Sequence, residues 1–487
     1  MTLSQSLVKQ LLIQSNKYIL SSKINKNWIW YSKMDILNAF MTSRNMLKSQ
    51  NIKKGDRVAF KGKNSFEWIA WNMATNSLGG VWVPMYEDQS DEYCNYIIKD
   101  CNPKIFLSSQ NENYNNVKTI DYSLKEINND NDFDKIQFID NELSTLIYTS
   151  GTTGSPKGVM LSNNNILSNI HSINKRFYDL PSGISLNILP WAHIYSQTCE
   201  LYYNILYDNK IAISSSRENF IKECRQVQPT TLYLVPRVLD LIKEKASILD
   251  NYLLRELIPF FLVYLFGANL KYIFVGGAKL NDDTRNFFQK YEYVICEGYG
   301  TTETSPMISV NHFLEPRDEN SIGKQLNDIM VEIVENEIQV SGPNVMMGYW
   351  NNVDATNKSL VKRNNKIWYK TGDSGIIQNG FLYYQGRIND NYKLSNGKFV
   401  NVEQVENIVK QYVKHNIILF GENMKNNQLI STKNISMDKL KKINNNLDSY
   451  LRIEKIHIIS DEELRMFLTP KMSIKRKPLI EYIKKRC

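Results

Sequence analysis

The chain has 487 residues, 42% apolar and 22% charged, with 59 Lys and Arg against 50 Asp and Glu. This is a globular composition with material for a large core, and it excludes a disordered chain, a collagen-like fibre and a small disulfide scaffold. The net charge of +9 is modest for the length and does not argue for a nucleic-acid partner.

At about 150 residues per domain, the length amounts to roughly three domains' worth of chain. Six scattered cysteines (Cys94, Cys101, Cys199, Cys224, Cys296 and Cys487), none in a CxxC pair, and only five histidines speak against a structural zinc. Their low density suggests reduced thiols in a cytoplasmic compartment. The opening segment, MTLSQSLVKQLLIQSNKYIL, lacks the charge-then-apolar order and cleavage site of a signal peptide, and reads as an amphipathic helix.

Strand-like runs follow at Arg57–Lys61, Gly80–Met85, Lys104–Leu107, Thr145–Thr149, Ser185–Leu189, Lys210–Ser214, Thr231–Val235, Lys271–Val275 and Tyr293–Glu297. Helix-length stretches lie between many of them. The alternation predicts an α/β fold with mainly parallel sheets. Leu257–Ala268 is almost wholly apolar but falls short of the roughly 20 residues of a spanning helix. The first expectation for it is a buried helix; the second is a surface for lipid, a lipid-like substrate or another subunit. Met330–Val334 and Glu337–Ser341 read as a hairpin in a β-rich sub-lobe. From Gly386 the chain turns Lys- and Asn-rich and gives a small α+β unit. The expected boundary separates a large domain, residues 1–387, from a small one, residues 388–487.

The most informative segment is TLIYTSGTTGSPKGVM, Thr145 to Met160. A strand ends at Tyr148–Thr149 and is followed by a run of Ser, Thr, Gly, Pro and Lys. Glycines let backbone N–H groups approach a ligand. Thr149, Ser150, Thr152, Thr153 and Ser155 add hydroxyls, and Lys157 adds a cation suited to a polyphosphate. The spacing is not that of the common P-loop, because Gly158 follows Lys157. A helix is expected next, with Ser162 as its N-cap.

YTSGTTGSPKGV resembles the phosphate-loop signature of the adenylate-forming enzymes: acyl-CoA synthetases, luciferases and peptide-synthetase adenylation domains. Further segments follow in that family's order: Gly55–Tyr86, EGYGTTETSP (Glu297–Pro306), SIGKQL (Ser321–Leu326), EIQVSGPNVMMGYW (Glu337–Trp350), WYKTGD (Trp368–Asp373) and GRINDNYKLSNGKFVNVEQVEN (Gly386–Asn407). The similarity runs from about residue 27 to 480.

The resemblance implies roles. Thr149, Ser150, Gly151, Thr152, Thr153, Gly154 and Lys157 would receive the phosphates of ATP. Glu297, Gly298, Tyr299, Gly300 and Thr301 would border the nucleotide, with Tyr299 stacked on adenine and Thr302 near the phosphates. Glu303 would hold Mg²⁺, as suits a hard carboxylate oxygen. Gly277 and Ala278, after Gly276, would let adenine lie against the backbone. Asp373 and Arg387 would grip the ribose. Asp390 would be the hinge of a mobile C-terminal domain, and Gly397 would line the approach of the CoA thiol. His193, in LPWAHIYSQ, would stand beside the carboxylate substrate.

Near the C-terminus the chain departs from the family. The lysine that neutralises charge during adenylation would fall on Ser473. Lys471 and Lys475 each lie two residues away, which on a strand means the same face. Either could replace it, with Lys471 disfavoured by Pro470.

WAHIYSQ, VPRVLDLI and the LTP…IKRK ending most resemble the long-chain fatty acid–CoA ligases. The reading is therefore ATP-dependent activation of a fatty acid and transfer to CoA. One alternative is a different acceptor, in an acyl–carrier-protein ligase or a fatty acyl-AMP ligase. The other is an inactive nucleotide- or lipid-binding relative. From Arg465 to Cys487 eight Lys or Arg face one acid, so most of the charge surplus sits at the end of the chain. It suits CoA phosphates or peripheral contact with the inner face of a membrane.

Overall fold

In this computed structural model the described residues are all except 110–113, 115–116, 128–131, 150–155, 248–254, 315, 469–473 and 487. Apolar runs without polar alternation form the inner strands. Val81–Met85 and Ile105–Ser108 are buried at every position, as expected of strands covered on both faces.

They belong to a seven-stranded sheet. Its spatial order is Gly348–Tyr349, Lys157–Ser162, Leu143–Thr149, Val81–Met85, Arg57–Lys61, Ile105–Ser108 and Lys118–Ile120. The last five strands are parallel and the first two antiparallel. A nine-stranded sheet has the order Lys324–Gln325, Met307–Val310, Val294–Gly300, Tyr272–Val275, Thr231–Leu234, Ile184–Asn187, Lys210–Ile213, Tyr18–Ile24 and Asn27–Ser32. Its six strands from Val294–Gly300 to Tyr18–Ile24 are parallel, and antiparallel strands close both edges. The protein is a mixed α/β structure with mainly parallel sheets in its N-terminal part. An aromatic cluster stiffens it: Trp68 lies 5.3 Å from Trp82 and 5.6 Å from Trp191, ring to ring.

The chain divides into two compact units. One contains Met1–Thr149, Pro156–Val331 and Val340–Tyr369; the other contains Glu332–Gln339 and Lys370–Cys487. The expected strands Met330–Val334 and Glu337–Ser341 are present and adjacent. In the second unit Asp373–Gln378 pairs with Phe381–Arg387. Beyond it Ile417–Phe420, Asn427–Ser431 and Ile453–Ile458 form a three-stranded sheet. Helices Val402–Lys410 and Met437–Asn445 bury Val405, Val409 and Ile443 in one core. Helix Arg476–Arg486 buries Leu479 and Ile483 in another, with Ile418, Phe420 and Ile430.

Three local expectations change. The N-terminal helix is short, Leu3–Leu12, capped by Thr2. The chain turns at Gln14 (φ 50°), and Tyr18–Ile24 becomes a strand. Parallel pairing with Lys210–Ile213 overrides helical periodicity there. After the phosphate loop the chain first forms the strand Lys157–Ser162, which returns antiparallel on Leu143–Thr149. The helix then runs over Asn163–Arg176, with Ser162 capping it as expected.

The apolar segment near residue 260 is also only half buried. Helix Ile258–Phe266 packs Ile258, Leu262, Leu265 and Phe266 inward. Phe260, Val263 and Tyr264 remain 73%, 46% and 57% exposed. A helix packed on one side has a second face, and here that face is also apolar. Among the described residues no helix is long and apolar enough to cross a membrane.

Trp68 is 1% exposed and touches Phe60, Trp82 and Trp191. Trp68→Ala is expected to cost about 3–5 kcal/mol. Thermal unfolding followed by circular dichroism should then begin several degrees lower, and an unchanged midpoint would refute this packing role.

Candidate active site

The expected phosphate-loop residues Ser150, Gly151, Thr152, Thr153 and Gly154 lie outside the described residues, as do Lys471 and Ser473. Both flanks of the loop are described. The antiparallel register sets Thr149 directly opposite Lys157, so the ladder holds the two ends of the loop side by side. The Lys157 ammonium lies 5.1 Å from the centroid of the Tyr349 ring, a cation–π distance.

Tyr349 also serves a second candidate. Its hydroxyl donates to Glu303 Oε1 at 2.9 Å. Burial and the neighbouring Glu303 charge push the Tyr349 phenol well up, so it stays protonated and donates. Glu303 sits in a short turn, Thr302–Thr304, directly after the strand Val294–Gly300. Asn344 Nδ2 donates to the Thr304 carbonyl at 2.9 Å, and the Met346 N–H donates to the Glu303 carbonyl at 2.8 Å. Thr302 is buried beside it. The structure thus brings Lys157, Tyr349 and Glu303 together across long stretches of chain.

Gly298, Tyr299, Gly300 and Thr301 lie on or just after the same strand. At Gly300 a Cβ would sit 1.9 Å from the Pro306 carbonyl oxygen, so only glycine fits. Gly276, Gly277 and Ala278 follow the neighbouring strand Tyr272–Val275. Gly277 has φ +85°, the left-handed region that favours glycine.

Glu297 is tied to this loop from beneath. Its carboxylate accepts from the Leu280 N–H at 2.9 Å and from Arg285 Nη2 at 2.6 Å. Burial pushes the Glu297 carboxyl up, and Arg285 opposes that shift. Buried charges persist where they are paired, so Glu297 holds the loop that carries Gly277 and Ala278.

His193 is half buried, and its Nδ1 accepts from the Tyr195 N–H at 3.2 Å. That contact puts the proton of a neutral ring on Nε2. It leads directly into Ser196–Tyr202, a π-helical stretch.

In the second unit Asp373 and Arg387 are cross-strand partners, with Arg387 Nε 2.9 Å from Asp373 Oδ1. Gly372 N–H donates to Glu337 Oε1 at 2.9 Å, which fixes the turn before Asp373. Asp390 ends the short turn Ile388–Asp390. Burial pushes its carboxyl up, and Arg476 pulls it back down. Gly397 lies in an open turn at φ +80° where a Cβ would touch nothing. Lys475 is exposed, directly before helix Arg476–Arg486. Its N–H donates to the Phe467 carbonyl at 2.7 Å, beside the bridge between Leu468 and Ile474.

The profile of the AMP-binding enzyme family matches residues 26–350. The chain belongs to this family. It is 25% identical to the long-chain-fatty-acid–CoA ligase FadD15 of Mycobacterium bovis over 427 residues, covering 73% of this chain and 69% of that one. It is also 25% identical to human long-chain-fatty-acid–CoA ligase ACSBG1 over 473 residues, covering 80% of this chain and 64% of that one. Its fold superimposes on the O-succinylbenzoate CoA synthetase MenE of Bacillus subtilis, solved with AMP. The TM-score is 0.81 at 20% identity, with 97% of each chain covered.

Glu303 offers a single hard carboxylate, the kind of ligand that a Mg²⁺ ion shares with substrate phosphates. The sequence reading missed Tyr349, Asn344, Arg285 and Arg476. Tyr349 and Asn344 lie inside Glu337–Trp350, a segment that resembles the family.

Tyr349→Phe removes the hydroxyl given to Glu303 and keeps the ring beneath Lys157. It is expected to lower Mg²⁺-dependent ATP–pyrophosphate exchange about tenfold, as for loss of one hydrogen bond to a charged group. A Mg²⁺ titration of the exchange rate checks it, and wild-type exchange in the variant would remove Tyr349 from the site.

Proposed function

We propose that this AMP-binding enzyme is an acid–thiol ligase that activates a long-chain fatty acid with ATP and passes the acyl group to CoA. The observation that carries the adenylation step is the convergence of Lys157 on the ring and Glu303 on the hydroxyl of Tyr349, with Lys157 at one flank of the phosphate loop. The choice of acid rests on the fatty-acid ligases at 25% identity.

A carboxylate is a poor electrophile. Its oxygen attacks the α-phosphorus of ATP, the α–β bond breaks and pyrophosphate leaves with the bonding pair. Lys157 and the phosphate-loop amides and hydroxyls would stabilise the oxygens that gain charge. Mg²⁺ bound at Glu303 would neutralise phosphate charge. Tyr349 keeps the Glu303 carboxylate aimed. Gly277, Ala278 and Tyr299 would receive adenine, and Asp373 with Arg387 the ribose. His193 would stand beside the acid. The CoA sulfur then attacks the acyl carbon, AMP departs, and the thiol proton passes to solvent. No side-chain nucleophile is required.

The small domain, residues 388–487, would turn about Asp390 between the two half-reactions, bringing Lys475 for the first and Gly397 for the second. Lys475 takes the part that Ser473 cannot, with Lys471 as the competing candidate. The exposed face of helix Ile258–Phe266 supports contact with a membrane surface that holds the fatty acid. There Arg225 lies 4.3 Å from the Tyr264 ring centroid, a cation beside the apolar face.

A different acceptor is the second reading, since carrier protein and CoA present the same thiol chemistry. The third is a relative that binds nucleotide without turnover, prompted by Ser473.

AMP release is the test, measured with acids of graded length, with and without CoA or holo carrier protein. Release that depends on a long-chain acid and CoA is expected. Release only with carrier protein favours the second reading, and ATP binding without release favours the third. Lys475→Ala should reduce pyrophosphate exchange about 100-fold, in the range found for losing one group that stabilises transition-state charge. CoA discharge of supplied acyl-adenylate should stay near wild type. Unchanged exchange in both Lys475→Ala and Lys471→Ala would remove both lysines from the reaction.

A further inference from the structure

Arg476 is the first residue of the last helix and follows Lys475 directly. Its guanidinium meets two carboxylates unequally. Nη1 donates to Glu406 Oε2 at 3.1 Å and Nη2 donates to Glu406 Oε1 at 2.8 Å, the paired geometry of a fork on a carboxylate. Nη2 also donates to the Leu419 carbonyl at 3.0 Å. Glu406 is itself fixed, because Oε1 accepts from the Leu419 N–H at 2.7 Å. Leu479 and Ile483 anchor the same helix in the apolar core.

The second carboxylate is Asp390, whose Oδ2 lies 3.8 Å from Arg476 Nε. That is an ion-pair distance, too long for a hydrogen bond. The Asp390 side chain is 29% exposed, against 8% for Glu406. One contact is dry, forked and close; the other is wetter, single and long. The chain also packs tightly just before Asp390: a Cβ on Gly386 would lie 2.8 Å from Glu403 Oε2. Asp390 therefore stands between a tightly packed strand end and a loosely held ion pair.

We propose that Arg476 is a positioning residue with two duties. Its fork on Glu406 holds Lys475 at the start of the last helix, and its longer contact to Asp390 is a releasable latch on the turn about which the small domain would swing. The proposal rests on the adenylation reading and assigns its conformational step to one ion pair. The unequal geometry suits the task. The latch can open while the clamp stays shut, so Lys475 travels with its domain as a fixed part.

Asp390→Asn keeps the shape of the turn and leaves the Glu406 clamp untouched. The test measures ATP–pyrophosphate exchange, CoA discharge of supplied acyl-adenylate, and tryptic cleavage after Arg387 and Lys393, with fragments identified by mass. Asp390→Asn is expected to change the ratio of the two half-reactions by about fivefold. It should speed cleavage by a similar factor, the scale of a partly exposed ion pair, and 1 M salt should erase the difference from wild type. Arg476→Lys keeps the charge and loses the fork. It should lower exchange about tenfold, the loss expected for a charged fork, while CoA discharge stays within about twofold.

Equal falls in both half-reactions, or a ratio and cleavage rate within about twofold of wild type in Asp390→Asn, would overturn the latch. If the wild-type chain shows no exchange with any acid, the adenylation reading falls. The cleavage rates of the two variants then still decide whether Arg476 holds the turn.

Discussion

Buried backbone must find hydrogen-bond partners, and in this protein that demand decides where chemistry can take place. Within the parallel sheets each inner strand spends its N–H and C=O groups on its neighbours. Side chains and amides become available to a ligand only where the ladder ends. Thr149 and Lys157 stand at one such end, Gly276–Ala278 at a second and Thr301–Glu303 at a third. All three lie at strand ends of the N-terminal unit, the first in the seven-stranded sheet and the other two in the nine-stranded one.

Support for these ends comes from elsewhere in the chain. Tyr349 braces Glu303 and underlies Lys157, Asn344 and Met346 hold the Glu303 turn, and Arg285 pairs with Glu297 beneath the Gly276–Ala278 loop. None of these helpers needs to touch substrate. Their effect is to hold the proposed contact groups in place before a ligand arrives, which is how fixed dipoles and charges stabilise a transition state cheaply. Glu297, paired with Arg285, also accepts from the Leu280 N–H, so it ties the loop to the strand on which Glu297 lies.

The C-terminal unit follows the same logic on a smaller scale. Its two apolar clusters share the three-stranded sheet, whose alternate residues face opposite sides: Ile417, Leu419 and Leu429 on one, Ile418, Phe420 and Ile430 on the other. Glu406 and Arg476 close one edge. The basic excess at the end of the chain lies in and beside the last helix, around Lys475. The surplus of positive charge is thus a local property of the proposed moving part, suited to meeting phosphates.

Local patterns made much of this legible. The strand runs, the hairpin near residue 330 and the Ser162 cap depend on neighbours a few residues apart, and they appear where periodicity and spacing put them. Where distant partners compete, local reading loses. Tyr18–Ile24 pairs as a strand because Lys210–Ile213 offers it a parallel edge, and the helix at Ile258–Phe266 keeps an apolar face outside because packing reaches only one side of it. The same holds at the site. Residue types and their order name the chemistry that Lys157, Glu303 and Asp373 can do. Which side chain braces Glu303 was settled by a contact spanning 46 residues, from Glu303 to Tyr349. A linear motif carries the identity of a group, while its orientation comes from whatever the folded chain packs against it.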